Sequence, residues 1–109
     1  MTPLKNTFPL HLCIYIDRLE CAKVLVEAGA DINAKDECKE FTPLHYAALL
    51  NDIEAGKYLI EKGADVNITG GQISTPLHIA TVYQHREFML FLLSKGANPN
   101  AQNRDGTAP

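Results

Sequence analysis

A block of four residues recurs three times along the chain and sets a regular period. It reads Phe-Pro-Leu-His at residues 8–11 and Thr-Pro-Leu-His at residues 42–45 and 75–78. The starts of the blocks are 34 residues apart (8 to 42) and then 33 residues apart (42 to 75). A glycine lies 21 residues after each start, at positions 29, 63 and 96. A period of this length predicts a stack of similar units, because one short unit cannot bury its apolar face alone.

Each period contains two short apolar segments that we predict to be helices, at 43–50 and 53–62 in the second copy. Thr42 is placed to cap the first helix. The proline after it suits the first turn, where a backbone N–H would have no acceptor within the helix. Asp52 is placed to cap the second helix. Gly63 is placed to end that helix, because glycine readily adopts the left-handed conformation. The corresponding segments elsewhere are 9–16, 19–28, 76–83 and 86–95.

Two longer motifs recur in phase. Thr-Pro-Leu-His-Tyr-Ala-Ala occupies residues 42–48, and Thr-Pro-Leu-His-Ile-Ala occupies 75–80. Gly-Ala-Asp-Ile-Asn-Ala occupies residues 29–34, and Gly-Ala-Asp-Val-Asn occupies 63–67. This pattern resembles the ankyrin repeat over residues 8–109. The resemblance implies an all-α fold, an ankyrin-repeat solenoid of stacked antiparallel helix pairs with β-hairpin-like fingers along one edge.

The resemblance places residues 1–109 in a single ankyrin-repeat domain. Its repeats are expected at about 8–35, 36–69 and 70–102, with 103–109 as the truncated start of a fourth. The third repeat carries an apolar run at residues 90–93, whereas terminal repeats usually have a polar outer face. We therefore expect the chain to be a segment of a longer array. Self-association through the open C-terminal repeat is the alternative.

Several positions depart from the family pattern. Phe8 replaces the usual threonine, so the first helix should lack that cap. Gly56 stands where a β-branched residue usually packs, so the second repeat should be a weak layer unless Tyr58 fills the space. The 34-residue spacing indicates one extra residue within 36–41. The glycine that usually separates the helices of a pair is replaced by Asp17, Asn51 and Gln84, of which glutamine should fit least well.

Composition and charge limit the partners that we expect. Hydrophobic residues make up 46% of the chain and charged residues 21%, which predicts a folded protein. A net charge of −3 and dispersed basic residues argue against nucleic acid, and no apolar stretch is long enough to cross a membrane. Three cysteines without ligand spacing predict no disulfide framework. They favour a reducing intracellular compartment, the cytoplasm first and the nucleus as the alternative.

The histidines and asparagines have structural interpretations. His11, His45 and His78 resemble the repeat histidines whose rings bond the backbone of a neighbouring finger, and they are too dispersed to converge on a metal. His85 is expected to be a solvated residue at a helix start. The asparagines and aspartates of the closing motifs are expected to form turns and caps. Because no nucleophile, base and orienting group occur together, we predict neither enzymatic activity nor a cofactor.

The residues that precede each inter-helix turn indicate a binding surface. In ankyrin repeats these positions lie on the concave face and commonly contact ligands. Ordinary packing between repeats is the other interpretation, but six uncharged residues in register would form an apolar stripe of the kind that binds partners. The six are Tyr15, Ile16, Leu49, Leu50, Val82 and Tyr83. The finger residues expected to set specificity are Lys35, Glu37, Phe41, Gln72 and Arg104.

These observations predict a protein–protein interaction module. It would bind a protein partner through its concave face and fingers and catalyse nothing. One alternative is a structural spacer within a larger repeat protein. Another is a substrate of an asparaginyl hydroxylase, for which the resemblance makes Asn33 and Asn67 the candidate residues.

Overall fold

The computed structural model describes residues 8–37, 40–70 and 74–101. Six helices form three consecutive pairs: α1 (Pro9–Tyr15) with α2 (Leu19–Glu27), α3 (Pro43–Leu50) with α4 (Ile53–Glu61), and α5 (Pro76–Val82) with α6 (Arg86–Ser94). The described residues contain no strand, so the expected β-hairpin-like fingers do not appear as paired strands in that part of the chain. The predicted all-α solenoid is confirmed.

Threonine side chains cap the starts of α3 and α5. Thr42 Oγ1 accepts from the His45 backbone N–H, and the His45 ring returns a bond by accepting at Nδ1 from the Thr42 N–H. Thr75 and His78 repeat this capping box at α5. Phe8 has no side-chain atom that can accept, so α1 begins without a side-chain cap, as predicted.

The turns inside the helix pairs adopt the left-handed conformation that the sequence predicted. The φ angles of the three residues that replace glycine are 63° at Asp17, 56° at Asn51 and 58° at Gln84. The outer helices are likewise followed by glycines with positive φ, as at Gly63 with 106°. Each reversal of the chain is therefore tight, and it leaves the two helices of a pair side by side.

The core lies between an inner row of helices and an outer row. The inner helices pack α1 on α3 and α3 on α5, and the outer helices pack α4 on α6. Ala47, Ala48 and Ala80 are completely buried, and their small side chains allow the inner helices to approach closely. The larger core residues Ile14, Leu44, Leu59, Phe88 and Leu92 fill the space between the rows.

The layer around Gly56 is densely packed, which contradicts the weak layer expected from the sequence. A Cβ atom at Gly56 would lie 2.9 Å from Phe88 Cζ and 3.1 Å from Phe91 Cε2. The aromatic rings of α6 therefore fill the space above the glycine. Tyr58 lies elsewhere, with its ring centroid 5.5 Å from Lys23 Nζ and 5.8 Å from Lys62 Nζ. The expectation was wrong because the complementary volume belongs to the following helix pair.

The first finger accommodates the extra residue that lengthens the first period. The Asp36 N–H donates over 2.9 Å to the carbonyl of Phe41, five residues later, whereas the Gly70 N–H donates over 2.7 Å to the carbonyl of Ser74, four residues later. Glu40, within the longer of the two segments, has a φ of 58°. The extra residue thus lies within 36–41, as predicted.

Candidate protein-binding surface

The C-terminal ends of the inner helices bring the predicted apolar stripe to one edge of the stack. Tyr15 ends α1, Leu50 ends α3 and Val82 ends α5, and these helices lie side by side. Five of the six predicted residues are exposed, by fractions between 40% at Leu50 and 72% at Val82. We call these five the apolar floor: Tyr15, Ile16, Leu50, Val82 and Tyr83.

Leu49 differs from the other five members of the predicted stripe. It is half-buried and packs against the hydrophobic core, so it supports the apolar floor instead of presenting its side chain to a partner. Its neighbour Leu50 turns outward at the last position of α3. The sequence could not separate the two, because both are leucines at the end of one helix.

A buried tyrosine supports one end of the apolar floor. The ring of Tyr46 is 5% exposed and meets the ring of Tyr15 edge to face, with 5.9 Å between ring centroids. The Tyr46 hydroxyl donates to Asp36 Oδ2, and Asp36 Oδ1 accepts from the Phe41 N–H. This chain of contacts fixes Tyr15 against the first finger, so this part of the surface is preorganised.

Polar turns border the apolar floor. Asp17, Asn51 and Gln84 follow the three helix ends directly, and all three are exposed. Each exposed apolar patch is thus followed directly by an exposed polar turn residue.

The predicted finger residues divide into two kinds. Lys35 and Glu37 are exposed and available to a partner. Phe41 is half-buried, because its ring stacks on the His45 ring with 4.9 Å between centroids and an interplanar angle of 10°. Gln72 and Arg104 lie outside the described residues.

His11 and His45 connect the inner helices to the fingers, as expected. His45 Nε2 lies 2.8 Å from the Ser74 carbonyl oxygen, and His11 Nε2 lies 2.8 Å from that of Ala34 and 3.0 Å from that of Phe41. Because Nδ1 of His45 accepts from Thr42, its Nε2 carries the proton and donates. Burial lowers the pKa of His45 to about 4 and also lowers that of His11, so both rings are neutral near pH 7.

His85 is not the solvated residue that the sequence suggested. It is half-buried, and its Nδ1 lies 3.0 Å from the Ala48 carbonyl oxygen, to which it donates. The bond links the start of α6 to the end of α3 in the preceding pair. Sequence analysis missed this contact because no motif marks the 37-residue separation between the partners.

The asparagines of the closing motifs link neighbouring repeats as well as forming turns. Asn33 Nδ2 donates to the Gly63 carbonyl over 3.2 Å, and Asn33 Oδ1 accepts from the Asp65 N–H over 2.9 Å. Asn67 makes the equivalent pair of bonds to Gly96 and Asn98. Each side chain thus uses both of its polar ends on the following turn.

Other classes of site have little support in the described part of the chain. Its His, Cys, Asp and Glu residues form no group of three or more that could hold a metal ion. Within the same ranges, the helices are too short to extend across a lipid bilayer.

Comparison with known families agrees with the repeat pattern. The family model described as ankyrin repeats (3 copies) matches residues 10–103. No curated protein matches the chain.

Proposed function

Because this chain belongs to the ankyrin repeat family, we propose that it is a binding module that holds a protein partner on the apolar floor. Ankyrin repeats generally act as protein–protein interaction modules. The observation that carries the proposal is the row of exposed apolar side chains at the ends of three adjacent helices.

The composition of the surface indicates what a partner must present. Isolated exposed apolar residues are common on any protein, but here the exposed residues lie in register, and two of them are tyrosines. A tyrosine supplies a large apolar area together with a hydroxyl group, a combination enriched at binding hot spots. The partner segment should therefore carry an apolar strip that crosses the stack, with polar groups facing the turns and Lys35 or Glu37.

The proposed activity is binding without catalysis, in the cytoplasm. The family is typically non-enzymatic. The two histidines with lowered pKa values, His11 and His45, direct Nε2 at backbone carbonyls and are occupied in structural bonds. The cytoplasmic location rests on the free thiols of Cys13 and Cys21, since reduced cysteines persist in reducing compartments.

Site-specific photocrosslinking tests this proposal. A photoreactive amino acid is introduced at Val82 on the apolar floor and, as the control, at Val24, which is 65% exposed on the outer helix α2. After irradiation in cells, we expect one discrete protein adduct from position 82 that is absent from position 24. Identical adducts from both positions would contradict a specific surface. The absence of any adduct would favour the alternative of a structural spacer.

The asparaginyl hydroxylase alternative makes a separate prediction. Asn33 and Asn67 engage both polar ends of their side chains with the following turn, so a hydroxylase would have to open those bonds to reach them. If the chain is such a substrate, native material should show an increase of about 16 Da at either residue by mass spectrometry. Unmodified asparagines would leave only the binding and spacer proposals.

A further inference from the structure

We propose that copies of this chain associate head to tail, with the third helix pair of one copy stacked on the first helix pair of the next. Two different surfaces would meet in this contact. We call them the leading face (Phe8, Pro9, Cys21 and Leu25) and the trailing face (Met89 and Asn100). Neither face includes a residue of the apolar floor, so the proposal does not depend on the function proposed for that surface.

The leading face consists of positions that are buried in the other two helix pairs. Pro9 is exposed, whereas Pro43 and Pro76 at the equivalent positions are fully buried. Leu25 is half-buried, whereas the leucines aligned with it in α4 and α6 are completely buried. With Phe8, which is 40% exposed, these two side chains line a groove of about 370 Å³. The first pair therefore presents the surface on which the other pairs receive a preceding neighbour.

The contact between the second and third pairs shows which positions meet across such a junction. A Cβ atom at Gly56 would lie 2.9 Å from Phe88 Cζ, so this position of α4 faces the following pair. The position aligned with Gly56 in α6 is Met89, and the position aligned with Phe88 in α2 is Cys21. Met89 is half-buried and Cys21 is exposed, whereas Gly56 and Phe88 are buried. A head-to-tail contact would pair the larger Met89 with the small Cys21, just as Gly56 accommodates the large Phe88 ring.

A series of asparagine side chains supplies a second, independent match. Asn33 and Asn67 each donate to a glycine carbonyl and accept from a backbone N–H of the following turn, over distances between 2.8 and 3.2 Å. Asn100 is the next member of the series, and its exposed side chain makes no hydrogen bond to the described part of the chain. In the first pair, the Gly29 carbonyl and the Asp31 N–H are the equivalent receiving groups, and no described side chain binds them.

These two matches identify the occupant of the leading face as a second copy of the chain. The Asn100 side chain carries the donor for the Gly29 carbonyl and the acceptor for the Asp31 N–H, in the geometry that the stack already uses twice. Met89 lies in the same helix pair, so one copy presents both features together. Because the two faces differ, the interface is heterologous, and each added copy offers a new trailing face.

Analytical ultracentrifugation of the 109-residue chain in a reducing buffer tests the proposal. We expect the weight-average mass to rise with concentration between the micromolar and millimolar ranges and to continue past the mass of a dimer. A mass that stays at one copy up to millimolar concentration would overturn the proposal, including the case in which another part of the same chain covers the leading face. A plateau at two copies would also overturn it, because a closed dimer does not grow through two different faces.

Two charged variants block one face each. Cys21→Glu places a carboxylate on the leading face, and Met89→Glu places one on the trailing face, so either variant alone should remain monomeric. Each variant keeps the face that the other has lost, so their mixture should form a one-to-one dimer and nothing larger. The dimer would also show that both variants are folded. A monomeric mixture with intact helical circular dichroism would overturn the proposal, as would unchanged association of either variant alone.

The dissociation constant of that mixed dimer tests the asparagine contact. Asn100→Asp, added to the Cys21→Glu copy, replaces the Nδ2 donor with an oxygen that faces the Gly29 carbonyl. It should weaken the dimer at least about tenfold. The control is Asn98→Asp, which adds the same charge in the same turn, where the equivalent residues of the other repeats are already aspartates. It should change the constant by less than about twofold. Equal effects of the two substitutions would overturn the asparagine match and the stacking geometry built on it.

Discussion

His45 combines several structural roles in the second helix pair. Its backbone N–H and its Nδ1 complete the capping box with Thr42, its Nε2 binds the Ser74 carbonyl, and its ring stacks on Phe41. All of these contacts use the neutral ring. Protonation would add a hydrogen to Nδ1, which in the neutral ring accepts a hydrogen bond from the Thr42 N–H. Nδ1 could then no longer accept, and two N–H groups would face each other.

The stability of the protein should therefore fall in mild acid. The pKa of His45 drops from 6.5 to about 4 on folding, so the folded state binds the proton more weakly than the unfolded state does. The stabilising contribution is complete above pH 6.5 and is lost as the pH falls towards 4, by about 3 kcal/mol at pH 4.

Urea unfolding between pH 7 and pH 4 measures this loss. The control is His45→Gln, which cannot titrate and keeps a side-chain acceptor for Thr42. The variant should be less stable at pH 7, and its stability should depend less steeply on pH. The pH dependence that persists in the variant should be due in part to His11. Equal slopes in the two proteins would show that His45 is not the titrating group.

The left-handed backbone conformation at Gln84 is more costly than the same conformation at Asn51 in the equivalent turn. Its φ of 58° is left-handed, a conformation that costs a glutamine more than the asparagine at Asn51. Gln84→Gly should stabilise the protein by about 0.5–1 kcal/mol, whereas Asn51→Gly should change the stability less. The two midpoints of thermal unfolding test this, and an equal or larger gain at Asn51 would contradict it.

Single residues could be predicted where the repeat supplies a reference position. The finger contacts of His11 and His45, the missing cap at Phe8 and the left-handed turns all follow from aligned positions in the sequence. His85 could not be assigned in this way, because its partner is a carbonyl of the preceding pair and sequence patterns do not report carbonyl exposure.

At the scale of elements, packing between helix pairs determines features that the helix pattern of the sequence does not predict. Helix α3 ends where it was predicted to end. Each of the other five helices ends one residue earlier than predicted, because the last predicted residue is the C-cap. The larger error concerned Gly56, where the apparent loss of volume in α4 is matched by Phe88 and Phe91 of α6. Complementarity of this kind requires the structure, since the residues involved lie in different repeats.

The Gly56→Ala substitution tests this complementarity. Alanine favours a helix by about 1 kcal/mol over glycine. Its Cβ would nevertheless meet the fully buried Phe88 ring at 2.9 Å, and overpacking costs about 1–3 kcal/mol. We expect a net loss of stability in urea unfolding. In a Phe88→Leu background the same substitution should be neutral or stabilising, and a gain in the otherwise unchanged protein would contradict the packing described.

At the scale of the whole molecule, the stack is joined by contacts that repeat from one pair to the next. Asn33 and Asn67 bind the following turn, and His45 binds the following finger. The 34- and 33-residue period predicted this architecture, because stacking is the way for such units to bury their apolar faces. The period could not show which residues of the apolar stripe remain exposed. That depends on the direction in which each side chain points at the helix end, as the contrast between Leu49 and Leu50 shows.

The dissociation constant of the partner captured through position 82 tests the central claim most directly. Val82→Glu combined with Tyr83→Glu places two charges on the apolar floor at exposed positions, so the fold should persist. We expect the constant to rise at least about 30-fold, the loss of a hot spot worth about 2 kcal/mol. The control Val24→Glu, exposed on α2 away from the apolar floor, should change it by less than about twofold. Unchanged affinity in the double variant, with its helical circular dichroism intact, would contradict the account.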